Sequence, residues 1–566
     1  MSAKHQSKNQ QPSNLVTKPG ERAVSADAPQ PTLAPAKFPR QHVHLLRISL
    51  QLESPLALGS GHATSEFDSP CALDANGLPY LPGTSLVGSL RSWLSALTLS
   101  NGKAASADDW FGYVDVDERS GQGLTSPLRL TAGHIHNARN QVQDGRVLQL
   151  EWQRDPILGP MATSLPYREH VRLNHRGVAA DTGKFDRSFV PRGHRFTFQM
   201  QINPYPGESV AWPELREKLL TALAGGELCL GSAQRAGFGR VRAVQAWGTS
   251  VDLREADQRK GLLAWRKLDV EPPASSKMNL NQPAGRVQLG AAADAKVASP
   301  SRDIDLALQL SACDYWRVGS ASNGLRAPGL KTDISDDQPY REQFVDWVPV
   351  PATLNHNWVV PGSALKGALA HRTTFHLNRL EGRWAGQEGA SAPVEAVRTL
   401  FGIEANESQH PSTQNVANAH DGTQARGAGA LWVDDAIPDA TPAPEVARFN
   451  HVRLDRFTGG AYGGALFSED ALFGGAITLR LRVRPAALRY LCPDAAARQR
   501  VVKALGLALA DLAGNRLGIG ADVANGLGYF QAGDRTRANA QLQQFEHDIL
   551  AALAKVDDAE HSEATA

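Results

Sequence analysis

The sequence is poor in cysteine, and it holds few methionines and aromatic residues. There are only 4 Cys and 4 Met in 566 residues, and aromatic residues make up 7%. Cys71, Cys229, Cys313 and Cys492 lie far apart and form no CxxC pair. This spacing excludes a zinc finger and a disulfide framework, and it predicts reduced thiols in a cytoplasmic protein.

Long apolar runs and an excess of one charge are also missing. No stretch approaches the roughly 20 consecutive apolar residues of a membrane span, and the first residues lack the apolar core of a signal peptide. Lys and Arg together number 59 and Asp and Glu 58, so the formal net charge is +1. A surface for nucleic acid would therefore have to be local. The motifs of phosphate-binding loops, serine hydrolases and zinc proteases are absent.

What the sequence does contain is an internal duplication. Three short blocks occur twice in the same order, about 280 to 290 residues apart, which indicates two copies of one domain. The paired blocks are Pro82–Arg91 with Pro361–Ala370, His170–Leu173 with His451–Leu454, and the glycines Gly231, Gly237 and Gly239 with Gly520, Gly526 and Gly528.

The duplication divides the chain into units. Pro272-Pro273, Ser275-Ser276 and an alanine-rich run separate the copies and are typical of a linker. The ends of the chain are polar and differ in composition from the copies. The predicted units are a disordered leader (1–39), a first domain (40–253), a linker (254–302), a second domain (303–535) and an acidic tail (536–566).

Apolar and polar residues alternate at matching places in the two copies. The alternation predicts a half-buried strand at the start of each copy, at 48–52 and 304–310. A second strand of this kind is predicted at 196–202 and 477–483.

Helices are predicted after the Pro-Gly blocks, where Thr84 or Ser363 could cap the first turn. Further helices near 213–224 and 494–512 lead into the glycine patterns. The order strand, helix, strands, helix, glycine loop, strand predicts an α+β protein with two tandem ferredoxin-like, RRM-like domains.

At these residues the chain resembles the RAMP superfamily of CRISPR-associated proteins, and specifically a tandem fusion of two type III (Csm/Cmr) backbone subunits. The resemblance covers both halves and depends on several motifs in combination. They are Pro361-Gly-Ser-Ala-Leu-Lys-Gly-Ala, the glycine loops 231–239 and 520–528, Asn450-His-Val-Arg-Leu-Asp-Arg-Phe-Thr-Gly-Gly-Ala, Phe111-Gly112 and Phe401-Gly402.

The resemblance implies a function and a set of partners. Such subunits bind a CRISPR guide RNA and hold its duplex with a complementary target RNA. They assemble with a large polymerase-like subunit, a small subunit and further RAMP subunits, without a membrane. The basic segment 167–195 corresponds to their thumb-like hairpin, which inserts into the duplex and displaces a base pair.

RNA-binding residues follow from the same resemblance. Glycine loops let backbone amides approach a sugar-phosphate chain, and basic side chains of the Pro-Gly helices would face it. The first copy departs from the signature, because Val87 stands where the second copy has Lys366. The expected RNA-binding residues are Arg91, Arg172, Arg176, Arg235, Gly237, Gly239, Arg240, Ser363, Lys366, Arg372, Arg453, Arg456, Gly526 and Gly528.

Catalysis in the resembled subunits depends on an Asp before a Pro in the loop that precedes the Pro-Gly turn. Asp68-Ser-Pro-Cys fits this pattern, so Asp68 is the expected catalytic residue and ligand of Mg²⁺ or another divalent cation. In the second copy Asp346 is the expected counterpart, with Asp336 or Asp337 as the fallback. Judged without the resemblance, each of these residues is a common turn residue.

Two other functions stay open at this point. The chain could be a non-catalytic RNA-binding scaffold or end cap of the same complex. It could also be a guide-processing endoribonuclease that uses histidine, for which His134, His136, His170 and His451 are the candidates. Loss of cutting on chelation of metal distinguishes an Asp-based mechanism from a His-based one.

Overall fold

A computed structural model describes most of residues 41–565. The undescribed positions in this range are 62, 65–66, 96, 98–105, 115–122, 147, 149–151, 164, 174–177, 205–211, 270–284, 287–302, 320–334, 336, 349, 385–394 and 403–427. The predicted leader and Arg176 lie outside the described residues. Among the residues described, no helix has the length and apolar character needed to cross a membrane.

The first domain is an antiparallel sheet with helices packed against it. Its strands have the order β11-β10-β1-β9-β6-β2. Strand β5 also pairs with β9, next to the part of β9 that pairs with β6. Phe196, Phe198 and Met200 alternate along β9 and are buried against the helices, as the sequence pattern predicts. The elements are β1 (His42–Leu52), β2 (Tyr80–Leu81), α1 (Gly83–Ser95), α2 (Ala107–Phe111), β3 (Tyr113–Val114), β4 (Gly123–Leu124), β5 (Leu128–Leu130), β6 (Gly133–Ile135), α3 (Gly159–Thr163), β7 (Tyr167–Leu173), β8 (Ala179–Ser188), β9 (Arg195–Ile202), α4 (Trp212–Ala224), β10 (Val241–Asp252), α5 (Ala256–Leu262) and β11 (Gly285–Arg286).

The second domain repeats this arrangement. Its sheet has the order β16-β19-β12-β21-β20. Strand β12 therefore lies between β19 and β21, as β1 lies between β9 and β10 in the first domain. Its core includes Leu505, Leu509 and Leu512, which recur at helical spacing along α9. The elements are β12 (Ile304–Ala312), β13 (Tyr315–Trp316), β14 (Arg341–Asp346), β15 (Thr353–Trp358), α6 (Gly362–Leu380), α7 (Glu395–Phe401), β16 (Leu431–Val433), β17 (Glu445–Leu454), β18 (Ala461–Phe473), β19 (Ala476–Val483), α8 (Pro485–Leu491), α9 (Ala495–Ala513), β20 (Gly514–Gly518), β21 (Tyr529–Gln531) and α10 (Arg535–Thr565).

Mixed helices and antiparallel sheets make the protein α+β, as predicted. Each half also carries a long hairpin outside its main sheet, β7–β8 in the first domain and β17–β18 in the second. The basic segment and its repeat therefore fold as β-hairpins.

Strand β1 is buried on both faces, which differs from the half-buried strand that alternation predicts. Arg47 and Ser49 have only 0% and 3% of their surface exposed. The cover is 254–269, assigned to the linker by composition, where α5 and the following turn place Trp265 against Val43. Arg47 donates hydrogen bonds to the backbone oxygens of Trp265, Lys267 and Asp269. The first domain therefore extends to 269.

The segment expected as an acidic tail is also part of a folded domain. Helix α10 begins at Arg535 and buries one face against the core of the second domain. The buried side chains are Ala538, Leu542, Phe545, Ile549 and Leu553, which recur every three to four residues. The second domain therefore continues well past 535.

Candidate nucleic-acid interface and catalytic loop

Asp68 lies in a loop that is joined to the root of the β7–β8 hairpin. Its backbone N–H donates to Oδ1 of Asp186 over 2.8 Å, and the N–H of Asp186 donates to Oδ2 of Asp68 over 3.1 Å. Ser69 forms a parallel bridge with Arg187, and the N–H of Cys71 donates to Oγ of Ser188. Two carboxylates are therefore held together beside the basic hairpin.

The counterpart of this loop in the second domain is found from the strand register. Asp337 forms a parallel bridge with Glu469, as Ser69 does with Arg187. The strands of the two long hairpins have the same register, which places Glu469 at the position of Arg187. Asp337 therefore corresponds to Ser69. Asp336, which precedes Asp337 in the sequence, then corresponds to Asp68, although it lies outside the described residues.

Asp346 lies at another place, at the end of β14 in the β14–β15 hairpin. Its carboxylate accepts a hydrogen bond from the N–H of Val348, which is the geometry of a turn residue. The hairpin leans on the first domain, where the N–H of Val345 donates to the carbonyl of Arg192. This position favours Asp336 over Asp346 as the equivalent of Asp68.

The oxygen atoms of Asp68 and Asp186 suit a hard divalent cation. Mg²⁺ binds proteins through one or two carboxylates and completes its shell with water and phosphate oxygens. Among the residues that the model describes, no group of three or more His, Cys, Asp or Glu could hold a metal ion. A two-carboxylate site that also needs substrate oxygens is compatible with this finding.

The two hairpins share an aromatic stack on one face. His170 stacks on Phe185 with ring centroids 4.8 Å apart, and His451 stacks on Phe467 at 4.9 Å. The strand registers pair equivalent positions, so residues along the two hairpins correspond one to one. Phe457, at the tip of the second hairpin, is 99% exposed. Exposed rings next to basic side chains suit contact with unstacked bases.

Among the expected RNA-binding arginines, those of the hairpins that the structure describes are exposed. Arg172 lies on β7 in the first hairpin. In the second, Arg456 is exposed near the tip, and the guanidinium of Arg453 lies 5.6 Å from the ring centre of Tyr462.

Three other expected arginines form ion pairs with acidic side chains of the same chain. Arg91 pairs with Asp108, Arg240 with Asp434 and Arg372 with Asp511. The bonds of Arg240 and Arg372 lie in partly buried surroundings, so removing the acid would leave a partly buried charge without its partner.

Arg235 and Lys366 come together where the two domains meet. Arg235 lies over the ring of Trp432 at 4.4 Å, and Arg484 lies over the same ring at 4.8 Å. Burial, with Arg235 nearby, lowers the pKa of Lys366 to about 8. Ser363 lies one residue inside α6, which begins at Gly362 and has Pro361 as its N-cap residue. This basic cluster combines residues from both domains.

The glycine loops are turns with the same conformation in both domains. Each contains a single turn of 3₁₀ helix between residues with positive φ. A side chain at Gly239 or Gly528 would collide with the carbonyl of Leu230 or Ile519, so both glycines are required by the fold. At Gly237 the neighbour is the Asp435 carboxylate, and Gly526 is open.

No local sequence signal marks the ion pairs of Arg168 that join the two domains. Arg168, on β7 of the first domain, has 2% of its side chain exposed and forms a bidentate pair with Asp435 of the second domain at 2.6 and 3.1 Å. It also pairs with Glu342, and its guanidinium lies 4.5 Å from the ring centre of Phe238. Asp435 in turn accepts the first N–H of α6, from Gly362, at 2.7 Å. No sequence motif links residues so far apart.

Burial of Asp435 predicts a pH dependence. Burial raises the pKa of Asp435 to about 6, although Arg168 opposes this shift. The folded protein thus binds a proton between pH 6 and 4 that the unfolded chain does not, so stability from this group falls as pH rises towards 6. Relative to Asp435→Asn, wild type should gain about 2–3 kcal/mol in free energy of unfolding between pH 7 and pH 4. Urea denaturation at several pH values measures this, with Asp346→Asn as the control, and parallel curves for wild type and Asp435→Asn would contradict it.

The candidate histidines are used in packing. His136 is 0% exposed, its Nε2 lies 2.7 Å from the hydroxyl of Thr197, and burial lowers its pKa to about 4. Burial likewise lowers the pKa of His170 to about 4. His134 lies 3.9 Å from Asp144, and His451 lies 3.5 Å from Glu469. Burial keeps His136 and His170 neutral at pH 7, so both are poor general acids.

The sequence was compared with curated proteins and with models of protein families. No curated protein matches the sequence. The family model of the RAMP superfamily matches residues 49–242 and 348–531, which together make up more than half of the chain. Each matched region lies within one of the two copies and contains its Pro-Gly helix and glycine loop. The chain therefore belongs to the RAMP superfamily of CRISPR-associated proteins, with one RAMP domain in each half.

Proposed function

We propose that the protein is a guide-RNA-binding backbone subunit of a type III CRISPR effector complex, and that it cuts complementary target RNA with a divalent cation. The observation that carries this proposal is the position of Asp68. Its loop is hydrogen-bonded to the root of a basic, aromatic hairpin, so whatever the hairpin grips lies beside two carboxylates. Other subunits of the complex are the expected protein partners, in the cytoplasm.

Each domain is proposed to be a variant of the ferredoxin-like fold. The strand order β10-β1-β9-β6 of the first domain and β21-β12-β19-β16 of the second support this. In both, every neighbouring pair is antiparallel. Counted along the chain among these four strands, the first (β1 or β12) lies between the third (β9 or β19) and the fourth (β10 or β21). This is the arrangement of two interleaved βαβ units.

The proposed reaction is in-line attack of a ribose 2′-hydroxyl on the adjacent phosphate. A nucleotide displaced from the duplex exposes its ribose and phosphate to the loop. Asp68 and Asp186 would hold a Mg²⁺ ion there, and the ion would neutralise charge on the phosphate. Their mutual hydrogen bonds to backbone N–H groups fix both carboxylates before RNA binds. The products would be a cyclic phosphate and a 5′-hydroxyl.

Sequence in the target is proposed to be recognised by base pairing to the guide. Protein contacts to the RNA backbone fix register without reading bases. Exposed Arg172, Arg453 and Arg456 on the hairpins, and the cluster of Arg235 and Lys366, are the proposed backbone contacts.

The direct test is cleavage by the purified, guide-bound protein or complex. We expect it to cut a complementary RNA in Mg²⁺, to stop in EDTA, and to leave a non-complementary RNA intact. Affinity for guide should fall as salt rises, because lysine and arginine contacts release counterions. Cutting that persists in EDTA would favour the histidine mechanism. Guide binding without any cutting would favour a scaffold or end cap.

A further inference from the structure

One side of the β7–β8 hairpin carries charged groups next to Asp68. Side chains alternate along a strand, so Asp186 and Lys184, two residues apart on β8, project from the same side. Glu169 of β7 lies directly opposite Asp186 in the register and shares this side. We call it the acidic face. Asp68 lies beside it, because Asp68 and Asp186 exchange hydrogen bonds.

Lys184 brings a positive charge to the acidic face. Its Nζ lies 2.9 Å from Oε1 of Glu169, and 64% of the lysine side chain is exposed. The glutamate side chain is only 14% exposed, so the carboxylate that holds the ammonium group is itself fixed in the hairpin. An ion pair with one exposed partner contributes little to stability. The ammonium group is thus held near Asp186 and is accessible to a bound RNA.

The neighbouring arginines project from the opposite side of the hairpin. Arg168 and Arg187 form a cross-strand pair there, and their guanidinium groups lie 4.5 and 6.0 Å from the ring centre of Phe238. Both arginines therefore point away from the acidic face. Within the regular part of the ladder, residues 167–171 and 184–188, the lysine is the one basic side chain on that face.

Cleavage by a ribose hydroxyl creates negative charge at two oxygen atoms. The 2′-oxygen forms a bond to phosphorus and gives its proton to solvent. The electron pair of the bond between phosphorus and the 5′-oxygen stays with the 5′-oxygen, which then takes a proton from water. In-line attack puts these two oxygens on opposite sides of the phosphorus atom, so the groups that assist them must stand apart. Residues two apart on a strand are separated by about 7 Å, which suits this need.

We propose that Lys184 stabilises the negative charge that develops on the leaving 5′-oxygen, while Asp68 and Asp186 act on the side of the attacking 2′-hydroxyl. This inference rests on the proposed function and adds a cation to its two-carboxylate site. Glu169 is a positioning residue, because it acts through the ammonium group that it holds. A charge that is already in place stabilises a transition state without the cost of reorganising solvent.

The second domain lacks this arrangement. In its hairpin a neutral pair, Asn450 and Ser468, stands where the first hairpin has its two acids. Leu466, which is 74% exposed, stands at the position of Lys184. The cut assigned to Asp336 would therefore proceed without a second carboxylate or a lysine from the hairpin. It should be the slower of the two cuts.

Single-turnover cleavage by the guide-bound protein or complex tests this role, with each product followed separately at saturating target RNA. Lys184→Met should lower the rate of the Asp68-dependent product about 10- to 100-fold and leave the Kd for target within about twofold. Lys184→Arg should keep most of the rate, because it restores the charge. Lys260→Met, at a lysine that is 78% exposed and paired with Asp257 elsewhere in the first domain, should cut like wild type.

A target RNA with sulfur in place of the bridging 5′-oxygen at the same cut isolates the leaving group. A thiol has a much lower pKa than an alcohol, so Lys184→Met and wild type should cut this RNA at rates within about threefold of each other. The slower cut gives the reverse test. Adding Leu466→Lys to Asn450→Glu and Ser468→Asp should raise the rate of the slower product at least about 10-fold.

Three results would overturn the inference. They are cutting by Lys184→Met at the wild-type rate, an equal defect of this variant on the oxygen and the sulfur RNA, and no gain from Leu466→Lys. Failure of the proposed function is a different result, because wild type would then yield no Asp68-dependent product. Melting temperatures of the variants are measured alongside and should match that of wild type, since the substituted side chain of Lys184 is exposed.

Discussion

Asp68→Ala should abolish one of the cleavage products of guide-bound protein, lowering the rate at that position about 10²–10⁴-fold. The substitution removes a carboxylate that accepts the N–H of Asp186, and with it one of two expected oxygen ligands of the cation. Guide affinity should stay within about twofold, because backbone contacts elsewhere hold the RNA. The measurement is a time course of labelled target RNA resolved by product length.

Matched variants assign the remaining carboxylates. Asp186→Asn keeps an oxygen for the N–H of Asp68 but loses the charge, so a defect that more Mg²⁺ rescues assigns Asp186 to the cation. Asp336→Ala should remove a second product, because the register of Asp337 aligns its neighbour with Asp68. Asp346→Ala should cut like wild type, since its carboxylate closes a turn. If Asp346→Ala removes a product and Asp336→Ala does not, the assignment from the register is incorrect.

Arg168→Met should destabilise the protein by about 3–5 kcal/mol, the largest effect on stability that we expect from a single substitution. It leaves Glu342 and Asp435, with 7% and 8% of their side chains exposed, as buried carboxylates without the positive charge of Arg168. The ring of Phe238 also loses its contact with the guanidinium. Urea denaturation followed by tryptophan fluorescence at pH 7 measures the change.

Two comparisons isolate the cause. Arg242→Met breaks an ion pair with Glu53 in which 49% and 37% of the side chains are exposed, so about 0–1 kcal/mol is expected. Adding Glu342→Gln and Asp435→Asn to Arg168→Met should recover much of the loss, because no unpaired charge is then buried. A loss in Arg168→Met no larger than in Arg242→Met would mean that the domains are held together by other contacts.

Much of the fold is predictable because its signals are local. The alternation in β9 and β19 identifies strands, and the leucines of α9 identify a helix, from a few neighbouring residues. The duplication adds independent evidence, since each signal occurs twice. The hairpin of the basic segment was expected only through the resemblance to the family. The α+β class therefore follows from the sequence.

The pairs across the junction depend on contacts that no local pattern contains. Arg168 is one of many basic residues in its segment, and nothing near it indicates a partner 267 residues away. The composition of 254–269 is typical of a linker. It gives no sign that Trp265 packs on Val43 and Leu45 of β1. The spacing to the Pro-Gly turn predicts Asp346 as the counterpart of Asp68. The strand register, which the sequence does not show, pairs Asp337 with Glu469 and so favours Asp336.

The cover that 254–269 forms over β1 sets the point at which the halves can be separated. A polypeptide that ends at 253 would expose Val43 and Leu45, which are 2% and 3% exposed in the whole chain. The guanidinium of Arg47 would also lose the carbonyl of Trp265 as a hydrogen-bond acceptor. An exposed apolar stripe on a sheet promotes aggregation. A first half that includes residue 269 keeps the stripe covered by Trp265.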